Sequence, residues 1–303
     1  MAINSELVCA LGPGTVTRSR LEVVASAVEH TSEPLSTRRH SALNAKSLRS
    51  VKLSIVMPAY NEEPTIRLAI DQILNVDLPC EVELIIVDDG SSDATGEVID
   101  ALNDTRVVKC RHPFNLGKGS AVRTGAAMAS GTHLLIFDAD VEYDPEDIPM
   151  LLTPIISGMA DVVYGARIFG NHTVYPSMRF AIGNRLTTLA ANILFDSYVT
   201  DLHTCLKLIP LDLFRQLALS QHGFGLDSEI TAELLRRGVR PFEVPVSYRG
   251  RSRAQGKKIT WLDGVQCLAV LTRVRMRGLI TPVEPVAPLF GTDCGLGLTS
   301  ARV

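Results

Sequence analysis

The chain has 303 residues, 46% hydrophobic and 21% charged, with a formal net charge of -3. This composition supports a sizeable core and excludes a disordered chain. The near-neutral total favours no charged partner by itself, and no nucleic-acid partner is expected.

Residues 1–50 are rich in Ser, Thr, Arg and His and read as a flexible leader, with a short helix at 20–29 and no basic stretch of the kind that opens a secretory signal. Regular structure is expected from "LSIVM" (53–57), a short apolar strand closed by Pro58. Ile66, Ala69, Ile70 and Ile73 then fall at helical spacing, with Pro64 near the helix start. "VELIIVDDG" (82–90) is a strand ended by Asp-Asp-Gly, and "SSDATGEVIDAL" opens on capping residues and turns helical. "VVKCRH", "GKGSAVRTGAAMA" and "HLLIF" continue as strand, helix and strand.

Strand and helix thus alternate from 53 to about 137, which predicts a parallel sheet with helices on both faces. Ligands of such sheets bind beyond the carboxyl ends of the strands. Three strand ends carry polar signals, at Pro58–Glu63, Asp88–Asp93 and Asp138–Asp144.

Beyond 145 the pattern loosens. "DVVYGARI", "CLKLI" and "PFEVPVSY" read as strands, and "RFAIGNRLTTLAANILF" and "LDSEITAELLRRG" as helices, the latter stopped at Gly238. A last helix ends in Arg273, Arg275 and Arg277, and the Pro- and Gly-rich stretch 279–303 reads as a loose tail.

Charge is unevenly spread. Residues 236–277 hold eleven Lys or Arg against Glu243 and Asp263 alone, which suits phosphate or an anionic membrane surface. A solvated helix face is the plainer reading. The longest run without Asp, Glu, Lys or Arg, 124–137, is fourteen residues, whereas a bilayer span needs about 18. No transmembrane helix is therefore expected, and any membrane contact would be peripheral. The six cysteines are far apart and lack a CxxC pair, as in a reduced cytosolic protein.

Four elements carry chemistry. In "LIFDADVEYD" (134–143), Asp138 and Asp140 are two apart and point the same way if the strand continues, so they could present oxygens to one hard cation. A solvated turn explains the same pattern, and Asp144 before Pro145 reads as a helix cap. In "NLGKGSAVRTG", Gly117 and Gly119 flank Lys118 at a helix start, where backbone amides and an ammonium favour an anion. His112 and Val122 stand where a P-loop and a dinucleotide fingerprint need glycine, so both are excluded. Asp88 and Asp89 end a strand where an acid can accept from a ribose or base.

"SIVMPAYNEE", "IIVDDGSSDAT", "NLGKGSAVRTG" and "FDADVEYDPEDI", in this order, resemble the nucleotide-sugar half of family 2 glycosyltransferases, nearest the polyprenyl (dolichyl) phosphate mannosyl- and glucosyltransferases. The resemblance covers about residues 52–278. It implies an α/β GT-A fold: a Rossmann-like nucleotide-sugar-binding sheet with helices on both faces, as one catalytic domain over 51–278. The nucleotide-sugar half would be 51–145 and the acceptor half 146–278.

It also implies roles. Pro58, Ala59, Tyr60, Glu62, Asp88 and Asp89 would line the nucleotide pocket, and Lys118 would lie near the diphosphate. Asp138 and Asp140 would hold Mg²⁺ or Mn²⁺, with Glu142 placed to join them. Arg167 would lie near the acceptor phosphate. Asp227, with Glu229 second, would face the reacting centre. Arg251, Arg253 and Lys257 or Lys258 could meet phosphate. The family's Gly-Phe-Arg reads here as Cys205-Leu206-Lys207, which loses the bidentate fork of Arg.

The expected reaction is inverting, metal-dependent transfer of a hexose from GDP-mannose or UDP-glucose to a polyprenyl phosphate at the cytosolic membrane face. A soluble hydroxyl acceptor and a non-catalytic nucleotide-sugar binder are the alternatives. A phosphate acceptor is already anionic, whereas a hydroxyl needs a general base, for which Asp227 is the candidate.

Overall fold

The computed structural model describes residues 51–167, 173–174, 177–251 and 261–280. The expected leader 1–50 and nearly all of the expected tail lie outside the described residues, as do Arg253, Lys257 and Lys258.

The alternation expected from sequence is present. Strand β1 (Lys52–Ala59) leads through α1 (Ile66–Asn75) to β2 (Glu81–Asp88), then through α2 (Thr95–Asp100) to β3 (Val107–Arg111), and through α3 (Lys118–Met128) to β4 (His133–Ile136). A 3-10 turn (Pro145–Asp147) and α4 (Ile148–Ile156) precede β5 (Val163–Ala166) and the short β6 (Thr173–Val174). Helix α5 (Met178–Phe195), β7 (Lys207–Pro210), α6 (Leu211–Gln216) and α7 (Leu226–Arg236) follow. Strands β8 (Phe242–Pro245) and β9 (Tyr248–Arg249) and helix α8 (Trp261–Ile280) complete the described chain.

Seven strands form one sheet in the order β3-β2-β1-β4-β7-β5-β8. Strands β1 to β4 are mutually parallel, as the alternation predicts. The sheet as a whole is mixed, because β7 runs antiparallel to both β4 and β5. Strands β6 and β9 pair separately.

Side-chain alternation sorts the core into two layers. Leu53, Ile55 and Met57 of β1 join Leu84 and Ile86 of β2 and the buried side of α1 on one face. Val56, Ile85, Val87, Leu134 and Ile136 face α3, α6 and α7 on the other. A third cluster ties α5, α7 and α8 through Ala191, Leu235, Val270 and Val274. Gly238, with φ 78°, ends α7 as expected, and the Val239 amide bonds back to the Leu234 carbonyl at 3.0 Å.

Candidate active site

The carboxyl ends of β1 and β2 build one rim. Pro58 and Ala59 close β1, and Tyr60 follows, partly exposed. Asn61 sits at φ 51°, and its Oδ1 accepts from the Ser92 amide at 2.8 Å, so the turn after β1 is locked to the turn after β2. The Glu62 amide donates to Thr95 Oγ1 at 2.9 Å, which leaves its carboxylate facing Arg251.

Asp88 ends β2 and Asp89 follows it, and both carboxylates bond to neighbouring parts of the chain. Asp88 accepts from Arg111 Nε at 2.7 Å and from the Ser91 amide at 2.9 Å. Asp89 accepts from the Leu116 amide at 3.0 Å and the Gly117 amide at 2.7 Å, and His112 Nδ1 lies 2.6 Å from its Oδ1. The sequence suggested a ribose acceptor here. In the structure Asp89 holds the glycine turn in front of α3 by supplying acceptors to that turn's amides.

The turn carries a second surprise. The amide of the second helical residue, Gly119, donates to the His222 carbonyl at 2.6 Å and is not open to an anion. A Cβ at Gly117 would collide with that carbonyl and one at Gly119 with the Gln221 carbonyl, so both positions need glycine for close approach. The charged group that α3 brings to the rim is the Lys118 side chain. Its Nζ lies 2.8 Å from Asp138 Oδ2 and 3.7 Å from Asp227 Oδ2. Burial opposes the ammonium, but Asp138 and Asp227 outweigh it and raise its pKa.

Strand β4 stops at Ile136, so Asp138 and Asp140 lie on a turn, and the expected strand alternation does not operate there. The turn is made by Val141 at φ 57°. The two carboxylates are nonetheless close enough to repel. Burial pushes the Asp140 carboxyl up to about 7, with Asp138 and Glu142 adding to the rise and Arg251 opposing it. Arg251 is the local counter-cation: Nη2 is 3.1 Å from Asp140 Oδ2, and the guanidinium also spans both Glu62 oxygens at 2.9 and 3.1 Å. Glu142 accepts from Tyr248 Oη and from the Arg251 amide, both at 2.6 Å, and so fixes where Arg251 enters. Asp144 caps the next helical turn, as expected, accepting from the Glu146 amide at 3.1 Å.

Asp227 sits in the first turn of α7 and brings in the second half of the chain. Lys207 Nζ lies 3.5 Å from its Oδ1, fully buried, and also donates to the Leu202 carbonyl at 3.1 Å and to that of Thr204. Burial would raise the Asp227 pKa, but Lys118 and Lys207 together hold it below the usual carboxylate range. Glu229, the second candidate, is placed elsewhere. Its carboxylate accepts from the Ser220 and Gln221 amides, both at 2.8 Å, and holds that loop.

Arg167 was expected beside an acceptor phosphate. The structure spends its fork internally: Nε and Nη2 each lie 2.6 Å from the two oxygens of buried Asp201. Its guanidinium also covers the Tyr248 ring at 4.9 Å. Asp201 was missed in the sequence, although a lone acid inside the apolar stretch "YVTDLHTCL" is a legible sign of a buried ion pair.

Charges therefore alternate across the rim: Arg251 on Asp140, Lys118 on Asp138 and Asp227, Lys207 on Asp227. This row links the ends of β1 and β4 to α7. No three His, Cys, Asp or Glu among the described residues are spaced to cage a metal by themselves. The Asp138–Asp140 pair does fit a hard cation whose remaining ligands are substrate phosphates, since crowded carboxylates gain most from a cation.

The family model for Glycosyl transferase family 2 matches residues 54–217. The chain is 29% identical over 231 residues to the low-salt glycan biosynthesis hexosyltransferase Agl6 of Haloferax volcanii, covering 75% of this chain and 53% of that protein. It thus spans about half the length of that relative. It is also 29% identical over 218 residues to the dolichyl-phosphate beta-glucosyltransferase ALG5A of Trichomonas vaginalis, covering 66% of each. Among solved structures it resembles glucosyl-3-phosphoglycerate synthase of Mycobacterium tuberculosis in complex with UDP, with TM-score 0.61, 22% identity, and 77% and 83% of the two chains covered. That likeness identifies the GT-A fold.

Proposed function

The chain belongs to glycosyl transferase family 2, and from that premise we propose that it moves a hexose from a nucleoside-diphosphate sugar to the phosphate of a polyprenyl lipid, with inversion. The observation that carries this reading is the setting of Asp227. Two ammonium groups hold it below the usual carboxylate range. A carboxylate so stabilised is a weak general base, and a neutral hydroxyl acceptor would need a strong one. A phosphate monoester is already anionic and needs no proton removed.

In this scheme an acceptor phosphate oxygen forms the bond to the anomeric carbon. The bond from that carbon to the donor diphosphate breaks, and its electron pair leaves on the diphosphate. Lys118 meets the charge that grows there, while Asp227 keeps Lys118 in place. Asp138 and Asp140 would hold a divalent cation, which supplies Lewis-acid stabilisation of the leaving diphosphate. Pro58, Ala59, Tyr60 and Glu62 line the donor side. Glu142 and Glu62 orient Arg251 toward it.

The relatives support the choice of substrates. One is named as a dolichyl-phosphate glucosyltransferase. A solved structure of similar fold holds Mn²⁺, UDP-glucose and phosphoglyceric acid, with TM-score 0.58 and 21% identity. These favour UDP-glucose and Mn²⁺ over GDP-mannose and Mg²⁺ as the first pair to try. The phosphoglyceric acid in that structure also keeps a soluble acceptor as the second reading.

The test is incubation of the full chain with sugar-labelled UDP-glucose or GDP-mannose, Mn²⁺ and polyprenyl phosphate, followed by extraction into organic solvent. Label in the lipid phase supports the lead reading. Label transferred to a water-soluble acceptor supports the second. No lipid-phase label with any common donor overturns the first.

A further inference from the structure

Helix α5 has a buried side and, opposite it, an exposed apolar one. One side packs inward through Thr187, Thr188, Ala191 and Phe195. At about 100° per residue, Met178, Ile182, Leu186, Leu189 and Ile193 form a stripe roughly a quarter-turn wide on the far side. All five are exposed, Met178 at 77% and Ile193 at 73%. Arg185 flanks the stripe on one edge and Arg179 on the other.

Helix α8, which packs against α5, repeats the plan. Cys267, Val270, Leu271 and Val274 face inward. Leu262, Val265, Leu268 and Met276 form the exposed stripe opposite them. Arg273 and Arg275 flank its two edges. Helix α5 contains no acid, and the single acid of α8, Asp263, lies on the inward half.

We propose that the outward stripes of α5 and α8, with Arg179, Arg185, Arg273 and Arg275 along their edges, dock the protein on an anionic lipid bilayer. Apolar residues bordered by cations are the composition of helices that lie in the plane of a charged interface. Charge complementarity selects this occupant. A second copy brought face to face would set the same four arginines against one another with no acid from either helix between them.

The surface is not the basic 236–277 stretch as a whole. Five of its eleven cations turn inward: Arg236, Arg237 and Arg277 onto Glu233, Arg240 onto the Leu235 carbonyl, and Arg251 onto the acidic rim. Arg273 and Arg275 are exposed, and neither forms an ion pair among the described residues.

Flotation of the full chain with lipid vesicles tests this without donor or acceptor, so it stands or falls independently of the transfer reaction proposed above. The vesicles are pure phosphatidylcholine, or phosphatidylcholine with about one third phosphatidylglycerol. The wild type is expected to float with the anionic vesicles and poorly with the neutral ones. The double variant Leu186→Glu/Leu189→Glu should bind anionic vesicles at least about tenfold less, with an unchanged circular dichroism spectrum. Arg185→Gln/Arg273→Gln should cost about fivefold per arginine on anionic vesicles and nothing on neutral ones. The proposal is overturned if the wild type does not float, or if both variants float as it does. It is equally overturned if the wild type is a non-floating dimer that Leu186→Glu/Leu189→Glu makes monomeric.

Discussion

The ammonium of Lys207 lies 3.5 Å from Oδ1 of Asp227, inside the protein and out of water. With Lys118 on the other oxygen, this keeps Asp227 ionised, and an ionised carboxylate flanked by two cations orients and balances charge better than it takes protons. With a polyprenyl phosphate acceptor, Asp227→Asn should keep kcat within about tenfold of wild type. With a hydroxyl acceptor the loss should be about 10²- to 10⁴-fold. Steady-state rates of the one variant on both acceptors separate the cases.

Lys118 is the only side chain whose charge touches both Asp138 and Asp227 among the ion pairs described. Lys118→Met should lower kcat/KM by at least about 10²-fold, the usual cost of removing one group aimed at developing charge. A variant that folds like wild type and turns over at the wild-type rate would remove Lys118 from the mechanism.

Asp138 and Asp140 can offer a cation only part of its shell. Chelation should abolish transfer, and Mn²⁺ or Mg²⁺ should restore it. Asp138→Asn or Asp140→Asn should raise the metal concentration for half-maximal activity by at least about tenfold. Full activity in excess chelator would exclude the metal site.

Arg167 and Asp201 form a bidentate pair with almost no solvent. Burial alone would raise the Asp201 carboxyl, but Arg167 holds it at about 2. The stability this gives is present above the ordinary aspartate range and is lost as pH falls toward 2. Asp201→Asn leaves a buried guanidinium short of charge, and should cost about 3–5 kcal/mol in urea unfolding near neutral pH. A loss below 1 kcal/mol, by the same measurement, would mean that water reaches Arg167.

His133 opens β4, and its Nε2 is buried without a hydrogen-bond partner. Burial pushes its pKa down to about 4, so the folded protein keeps the ring neutral. The unfolded chain takes a proton near 6.5, so between 6.5 and 4 stability falls with pH by at most about 1.4 kcal/mol per unit. His203, also held at about 4 by burial, adds loss in the same window. His133→Leu should flatten the pH dependence and gain about 1–3 kcal/mol at pH 5, read from denaturation midpoints. An unchanged slope would show that the ring does not titrate with unfolding.

Strands β1, β2 and β4 were legible because each is an apolar run followed by turn chemistry, as after Ala59 and at Gly90, and β3 because its two valines fall between two helices. The place of β7 was not. "CLKLI" reads as a strand, yet nothing in five residues says that it enters the sheet between β4 and β5. In the candidate site, the family resemblance singled out Lys118, Asp138 and Asp227, and the structure brings them together. It did not show how Asp89, Glu229 and Arg167 would be used. A carboxylate that holds a loop and one that holds a ligand have the same letter, and only the partners distinguish them. Lys207 illustrates the point: read as a weakened acceptor contact, it is a buried counter-charge to Asp227.

The insertion of β7 bears on how the molecule can be made. Strand β4 is buried along its whole length and bonds to β1 on one side and β7 on the other. During synthesis the chain up to residue 145 would carry four parallel strands with one apolar edge open until residues 207–210 arrive. Cutting between the nucleotide-sugar half and the acceptor half should therefore give a sticky fragment, and the row of charges from Arg251 to Lys207 can exist only once both halves have emerged.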